Sequence, residues 1–181
     1  ENIVHVTEWI KKKAIENGGD PERETLTVVS AKDGKPYHVD GEGQYWRVYL
    51  FVEGTTSYDK VEKPSDFYES AVSFGHFQRQ LADFPAKSLH ETIPDFHNTA
   101  KRFETFQKAV AADVCGRAAS VKEEIQFVLD HEAFAHTLCD LEAAGKIPTR
   151  VTHNDTKLNN ILIDNATGKG ICVIDLDTVM P

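Results

Sequence analysis

The segment 150–160 holds His153, Asp155, Lys157 and Asn160, and two short apolar runs follow it, 161–164 and 171–177, each ending in acids. With the polar stretch 165–170 between them, the two runs read as a β-hairpin. A symmetric turn closed by Asn165 and Gly170 would set Ile163 opposite Cys172 and Asn160 opposite Asp175. Side chains in such a pair have Cβ atoms about 4.5 to 5.5 Å apart. An amide oxygen beside a carboxylate, with few other protein ligands, suits Mg²⁺, which takes oxygen donors and keeps waters and substrate phosphates in its shell. Asp155, in a turn just before Asn160, is near enough to work beside such an ion without binding it. Lys157 offers a mobile positive charge to a transferring phosphate. Taken singly, each of these is an ordinary polar residue of a turn or strand end; their joint spacing is what argues for phosphotransfer. Two other classes remain open on the residues alone. A metal-dependent hydrolase using His153, Asp155 and Asp175 would need direct imidazole coordination and no nucleotide. A non-catalytic nucleotide-binding module would survive the loss of Asp155.

The elements that must carry this segment can be read from periodicity. Ile3, Val6, Ile10 and Ala14, joined by Trp9, recur every three to four residues and stop at Asn17-Gly18-Gly19, which predicts an amphipathic helix. The runs 26–29, 37–39 and 45–52 are β-branched and aromatic and are separated by Asp33-Gly34 and Asp40-Gly41-Glu42-Gly43, which predicts an antiparallel meander. Gly41 and Gly43 read as a turn rather than a phosphate loop, since Trp46 holds the third glycine position and no helix follows. Composition shifts to helix formers near 53–57, marking a boundary between two lobes. Beyond it, Pro64-Ser65-Asp66 starts a helix with the stripe Phe67, Ala71, Phe74, Phe77 and Leu81, read as core. Phe103, Phe106, Val110 and Val114 predict another helix, and Val121, Ile125, Val128 and Leu129 a third. Pro94, Asp95, His97 and Asn98 mark a loop between helices.

Composition narrows the partners. The 181 residues carry 20 Lys and Arg against 29 Asp and Glu, a net charge of −9, which opposes nucleic acid or an anionic membrane as a partner. No apolar run approaches the length of a membrane span. Cys115, Cys139 and Cys172 are odd in number and scattered, which fits reduced thiols of a cytoplasmic protein rather than disulfides or zinc ligands. The chain starts at Glu1 inside a helical pattern and stops just after a strand, so it is expected to be a piece of a longer protein.

His153-x-Asp155-x-Lys157-x-x-Asn160 resembles the catalytic loop of protein-kinase-like phosphotransferases, and Asp175 stands where those enzymes place a metal-binding aspartate. With no arginine after His153 and no D-F-G, it resembles the aminoglycoside phosphotransferase and choline kinase superfamily rather than the protein kinases. Within that superfamily, residues 151–160, 174–181, 45–54 and 89–98 resemble the N-acetylhexosamine 1-kinase branch.

The resemblance implies an α+β, protein-kinase-like two-lobed fold present in part. Residues 1–54 would form a meander with one helix, ending in an interlobe hinge. Residues 55–181 would form a mainly helical lobe with the catalytic loop and β-hairpin. It implies ATP and Mg²⁺ as cofactors, and transfer of the γ-phosphate to a hydroxyl of a small molecule, foremost the anomeric hydroxyl of an amino sugar. Aminoglycoside, choline or homoserine-type alcohols are the alternative acceptors. It makes Asp155 the base and Lys157 a stabiliser of the transferred group. Asn160 and Asp175 become the metal ligands, with Asp177 ranked second to Asp175, and His153 a loop organiser. Val52 and Glu53 fall at the hinge, where adenine binds through backbone groups. A helix glutamate, Glu1 or Glu8, would pair with a strand lysine that lies outside the chain, as does the glycine-rich loop, so the chain alone is expected to bind nucleotide poorly.

Overall fold

The computed structural model describes all residues from Glu1 to Pro181 and divides by contacts into two units, Glu1–Thr92 with Arg150–Pro181, and Ile93–Thr149. The first unit opens with α1, Asn2–Glu16, whose buried positions include Ile3, Val6, Ile10 and Ala14, the apolar stripe of the sequence. Its end is a left-handed glycine cap: Gly18 has φ +72°, its N–H reaches the Ile15 carbonyl at 3.1 Å, and the Gly19 N–H reaches that of Ala14 at 2.8 Å. Only a residue without Cβ takes that turn at no steric cost.

Four two-residue strands follow: β1 (Val28–Val29), β2 (His38–Val39), β3 (Tyr45–Trp46) and β4 (Val48–Tyr49). Their pairing is antiparallel, as expected, but nested rather than sequential, with β1 on β4 and β2 on β3. The third apolar run therefore carries both pairings and breaks at Arg47. The chain after β1 makes a tight turn closed by a 2.7 Å bond from the Ala31 N–H to the Lys35 carbonyl, but no ladder continues from it, and β1 takes its partner from the far side of the β2–β3 hairpin. The β2–β3 turn is held by Asp40, which accepts from the N–H groups of Glu42 and Gln44, both at 2.9 Å, and from Trp46 Nε1 at 2.6 Å.

After β5 (Thr55–Thr56) comes α2, Pro64–Gln80. Its buried face is Asp66, Glu69, Ser70, Ser73, Phe74, Phe77 and Gln80, which corrects the expected stripe at two positions, since Phe67 is 65% exposed and Ala71 also faces solvent. The polar side of this face is buried because it is paired. Asp66 caps the helix by accepting from the Lys63 N–H at 3.1 Å, and Glu69 accepts from Lys169 Nζ at 2.8 Å and from the Gly170 N–H at 3.3 Å. Both contacts with Glu69 come from the hairpin β6 (Ile161–Asp164) and β7 (Gly170–Val173), with β5 on its outer edge in the order β5-β6-β7. Val6, Ile10, Leu81, Ile161, Cys172, Leu176 and Val179 make the innermost layer.

The second unit is helical: α3 (Thr99–Ala112), α4 (Lys122–Asp130) and α5 (Glu132–Ala143). Asn98 caps α3 by accepting from the Lys101 N–H at 3.0 Å, and the Thr99 hydroxyl donates to the Ala135 carbonyl of α5. The sequence reading expected α3 and α4 but did not separate α5. Phe103 is the one buried apolar side chain of this unit, and Val114, expected on the α3 stripe, is 91% exposed just past the left-handed cap at Asp113. No helix of either unit is long and apolar enough to cross a membrane.

Candidate active site

The loop that precedes β6 is held by its backbone to the segment that follows β7. Thr152 and Met180 exchange both main-chain hydrogen bonds, at 3.0 and 3.3 Å. The Thr178 hydroxyl donates to the His153 carbonyl at 2.6 Å, and Asn154, left-handed at φ +66°, donates from Nδ2 to the Thr178 carbonyl at 3.0 Å.

His153 is 3% exposed and stands edge-on to Phe74 and Phe77, with ring centroids 5.3 and 5.8 Å away. Its Nδ1 accepts from the Asp155 N–H at 3.3 Å, which leaves Nε2 as the protonated nitrogen donating to the Ile174 carbonyl at 2.8 Å. Burial pushes its pKa below the ordinary histidine value. A neutral imidazole with both nitrogens on the backbone ties the loop to the last residue of the hairpin ladder. It has no lone pair left for a metal, which removes the coordination that the hydrolase reading requires.

Asp155 is left at the surface. Its Oδ2 takes the Lys157 ammonium at 2.8 Å and Asn160 Nδ2 at 3.2 Å, and the same Nδ2 reaches the Asp155 carbonyl at 2.9 Å. The hydrogen bond from Lys157 is the main cause that holds the Asp155 carboxyl below the usual carboxylate range, and Lys157 is raised in turn. Both side chains are substantially exposed, so parting them for a competing anion costs little.

Asn160 is 3% exposed, and every hydrogen bond of its side chain uses Nδ2, so Oδ1 is fixed as the acceptor without a protein partner. The expected register is one residue off. The hairpin pairs Ile161 with Val173, Leu162 with Cys172 and Ile163 with Gly170, leaving Ile171 as the extra residue of a bulge. Asp164 causes the shift: it closes a four-residue loop, accepting on Oδ1 from the N–H groups of Ala166 and Thr167 and meeting the Lys169 carbonyl with its own N–H at 2.8 Å. Asn160 consequently faces Ile174, whose N–H it accepts at 2.9 Å, and Asp175 is the next residue, not its direct partner. There the chain turns left-handed, with φ 58° and ψ 57°, and the Asp175 carboxylate is exposed with no hydrogen bond. Its charge acts on His153, Lys157 and Tyr49. Two oxygen donors not engaged by protein donors, one amide and one carboxylate, thus flank the end of the ladder, a donor set that fits Mg²⁺.

Asp177 is committed elsewhere. Its Oδ1 accepts from Arg47 Nη2 at 2.5 Å, and the guanidinium also lies 5.2 Å from the Tyr49 ring centroid. At the expected hinge position, Val52 is buried and its carbonyl accepts from Thr55 Oγ1 at 2.7 Å, while the exposed Glu53 offers its carbonyl to Arg23 at 2.8 Å. Their N–H groups meet no protein acceptor. Arg23 binds Asp164 as well, at 2.8 Å, and so ties the backbone at Glu53 to β6. Glu1 pairs with His90 at 2.5 Å, and Glu8 is exposed without an ion pair.

Sequence reasoning missed Arg47 and Arg23. Arg47 had a visible signal, a cation inside an apolar strand run; Arg23, in a polar loop, had none. The model of the phosphotransferase enzyme family (APH) matches residues 17–181, a span that takes in everything after α1, including the strands β1 to β7, the helical unit and the loop carrying Asp155. The α+β arrangement is the one such a kinase-like fold requires, and with nearly the whole chain matched, this protein belongs to the phosphotransferase enzyme family.

Proposed function

We propose that the protein moves the γ-phosphoryl group of ATP to a hydroxyl of a small molecule, foremost the anomeric hydroxyl of an N-acetylhexosamine, with Mg²⁺ held by Asn160 and Asp175. The observation that carries this reading is the shared contact at Asp155: one carboxylate bonded to a mobile ammonium and to the amide of an asparagine whose oxygen stays open. In this reading residues 1–54 are the first lobe and 55–181 the second, with Val52 and Glu53 presenting their N–H groups to the nucleobase.

The acceptor hydroxyl hydrogen-bonds to Asp155, which aims its oxygen at the terminal phosphorus. As the new P–O bond forms and the bond to the leaving diphosphate breaks, the hydroxyl proton passes to an Asp155 oxygen. A carboxylate held below its usual pKa is a weak base, so its work is mainly orientation, with proton uptake late, as suits a loose phosphoryl transition state. Lys157, swung from Asp155 to the transferring oxygens, stabilises their charge. His153 holds the loop still and exchanges no proton. Bound Mg²⁺ supplies charge neutralisation on the nucleotide phosphates.

The choice of acceptor rests on the resemblance of residues 45–54, 89–98 and 151–160 to the N-acetylhexosamine branch, because one fold and one loop serve many acceptors. Incubating the intact protein with ATP, Mg²⁺ and a panel of N-acetylhexosamines, neutral sugars and amino alcohols tests it. ADP release that depends on an N-acetylhexosamine supports the proposal, release with choline or an aminoglycoside reassigns the acceptor, and no acceptor-dependent release contradicts it.

A further inference from the structure

Arg47 lies at the break between β3 and β4, and its bond to Asp177 spans 130 positions of sequence. No other side chain of residues 28–50 hydrogen-bonds outside the ribbon. At the other end, Asp177 sits in the short 3₁₀ turn Leu176–Thr178 that begins directly after Asp175. The inner side of this turn is secured by the burial of Leu176 and Val179 and by the bonds of Thr178 and Met180 to the catalytic loop. Its outer side is the exposed pair Asp175 and Asp177. Of these two carboxylates only Asp177 has a protein partner, and that partner is Arg47.

Asp175 needs such help. A left-handed backbone is unfavourable for a residue with a Cβ and persists where neighbours over-determine it. Two carboxylates two residues apart would also compete for one cation, and a guanidinium bonded to Oδ1 of the second weakens it as a competitor.

We propose that Arg47 is a positioning residue of the phosphotransfer site: by gripping Asp177 it fixes the turn that presents Asp175 and keeps the Asp177 carboxylate out of the cation's shell. The proposal rests on the reading of Asp175 as a ligand, given above. It also assigns Asp177, the second-ranked candidate ligand, an anchoring task.

The test uses Arg47→Met, Arg47→Lys, Asp177→Asn and the double variant Arg47→Met/Asp177→Asn of the intact protein. Two readouts are followed, backbone hydrogen exchange without ligands and calorimetric affinity for ADP with and without Mg²⁺. Arg47→Met should speed exchange across 175–178 while β6 and β7 keep their protection. It should weaken Mg²⁺-dependent ADP binding by about tenfold, the scale seen when an outer-shell partner of a metal ligand is lost, and leave metal-free ADP binding as in the wild type. Asp177→Asn should behave alike, the double variant no worse than either single one, and Arg47→Lys should recover part of the loss, since it keeps the charge but not the planar guanidinium. Unchanged Mg²⁺ dependence in Arg47→Met, additive losses in the double variant, or loosening spread over β6 and β7 would each overturn the proposal. A wild-type protein that binds ADP equally with and without Mg²⁺ would instead count against the phosphotransfer reading itself.

Discussion

The segment Arg150–Pro181 and the helical unit Ile93–Thr149 dispose of their apolar side chains in opposite ways. In the first, Val151, Ile161, Ile163, Leu176 and Val179 are buried, and the chemically equipped residues hang between them on short polar turns. In the second, Phe103 is enclosed, while Phe127, Phe134 and Leu138 are 63%, 79% and 64% exposed. The difference teaches where position comes from. Asp155 and Asn160 are placed by Val151, His153 and Ile161, nearby residues that are buried and cannot move without opening the core. The faces of α4 and α5 meet no such constraint within their own unit.

Truncating the two regions should separate them most sharply. Leu176→Ala or Ile161→Ala, at side chains 1% and 0% exposed, should lower unfolding free energy by about 3 kcal/mol. Phe134→Ala removes a larger side chain but should cost less than about 0.5 kcal/mol. Denaturant titration reads both, and equal losses would break the comparison. A subtler probe of the same framework is Gly170→Ala. A Cβ there would fall 2.0 Å from Ser73 Oγ and 3.1 Å from the Glu69 carbonyl, an overpacking that should cost about 2 kcal/mol. Much of that cost should vanish in a Ser73→Gly background, because the nearest obstacle is then gone.

Part of this framework was legible in the sequence and part was not. The stripe of Ile3, Val6, Ile10 and Ala14 and the Gly18 cap were readable because burial and backbone freedom are properties of single residue types. The hairpin was readable from its two apolar runs, yet its register was missed by one residue. One carboxylate, Asp164, closes a loop of the same length one residue earlier than symmetry suggests, and the bulge at Ile171 takes up part of the offset. The face of α2 was misread at Phe67 for a related reason. Periodicity counts apolar residues, whereas Asp66 and Glu69 are inside because donors from Lys63, Lys169 and Gly170 meet them there. The polar residues from His153 to Asn160 and from Asp175 to Asp177 stood out by type and spacing, whereas the long-range bonds of Arg47 to Asp177 and of Arg23 to Asp164 could not be read from either end alone.

The smallest expected effect sharpens the link between core and loop. Burial keeps the folded-state pKa of His153 below its ordinary value of 6.5. As pH falls through that value the unfolded chain takes up a proton that the folded chain does not, so stability present at neutral pH declines on acidification. His153→Gln keeps a donor for the Ile174 carbonyl without a titrating group. Thermal midpoints followed from about pH 7.5 to about 5.5 should therefore fall less in the variant than in the wild type. An equal fall would show that the imidazole does not report the loop's attachment.

The central claim is that Asp155 aims and deprotonates the acceptor while other residues hold the nucleotide. Its most direct test is Asp155→Asn in the intact protein, with phosphoryl transfer to the best acceptor and nucleotide affinity measured side by side. The account predicts a loss of transfer of about 10³-fold, within the usual range for a positioned acid or base, with ADP affinity and thermal midpoint near those of the wild type. Transfer that persists at the wild-type rate, or nucleotide binding that vanishes together with it, would contradict the account.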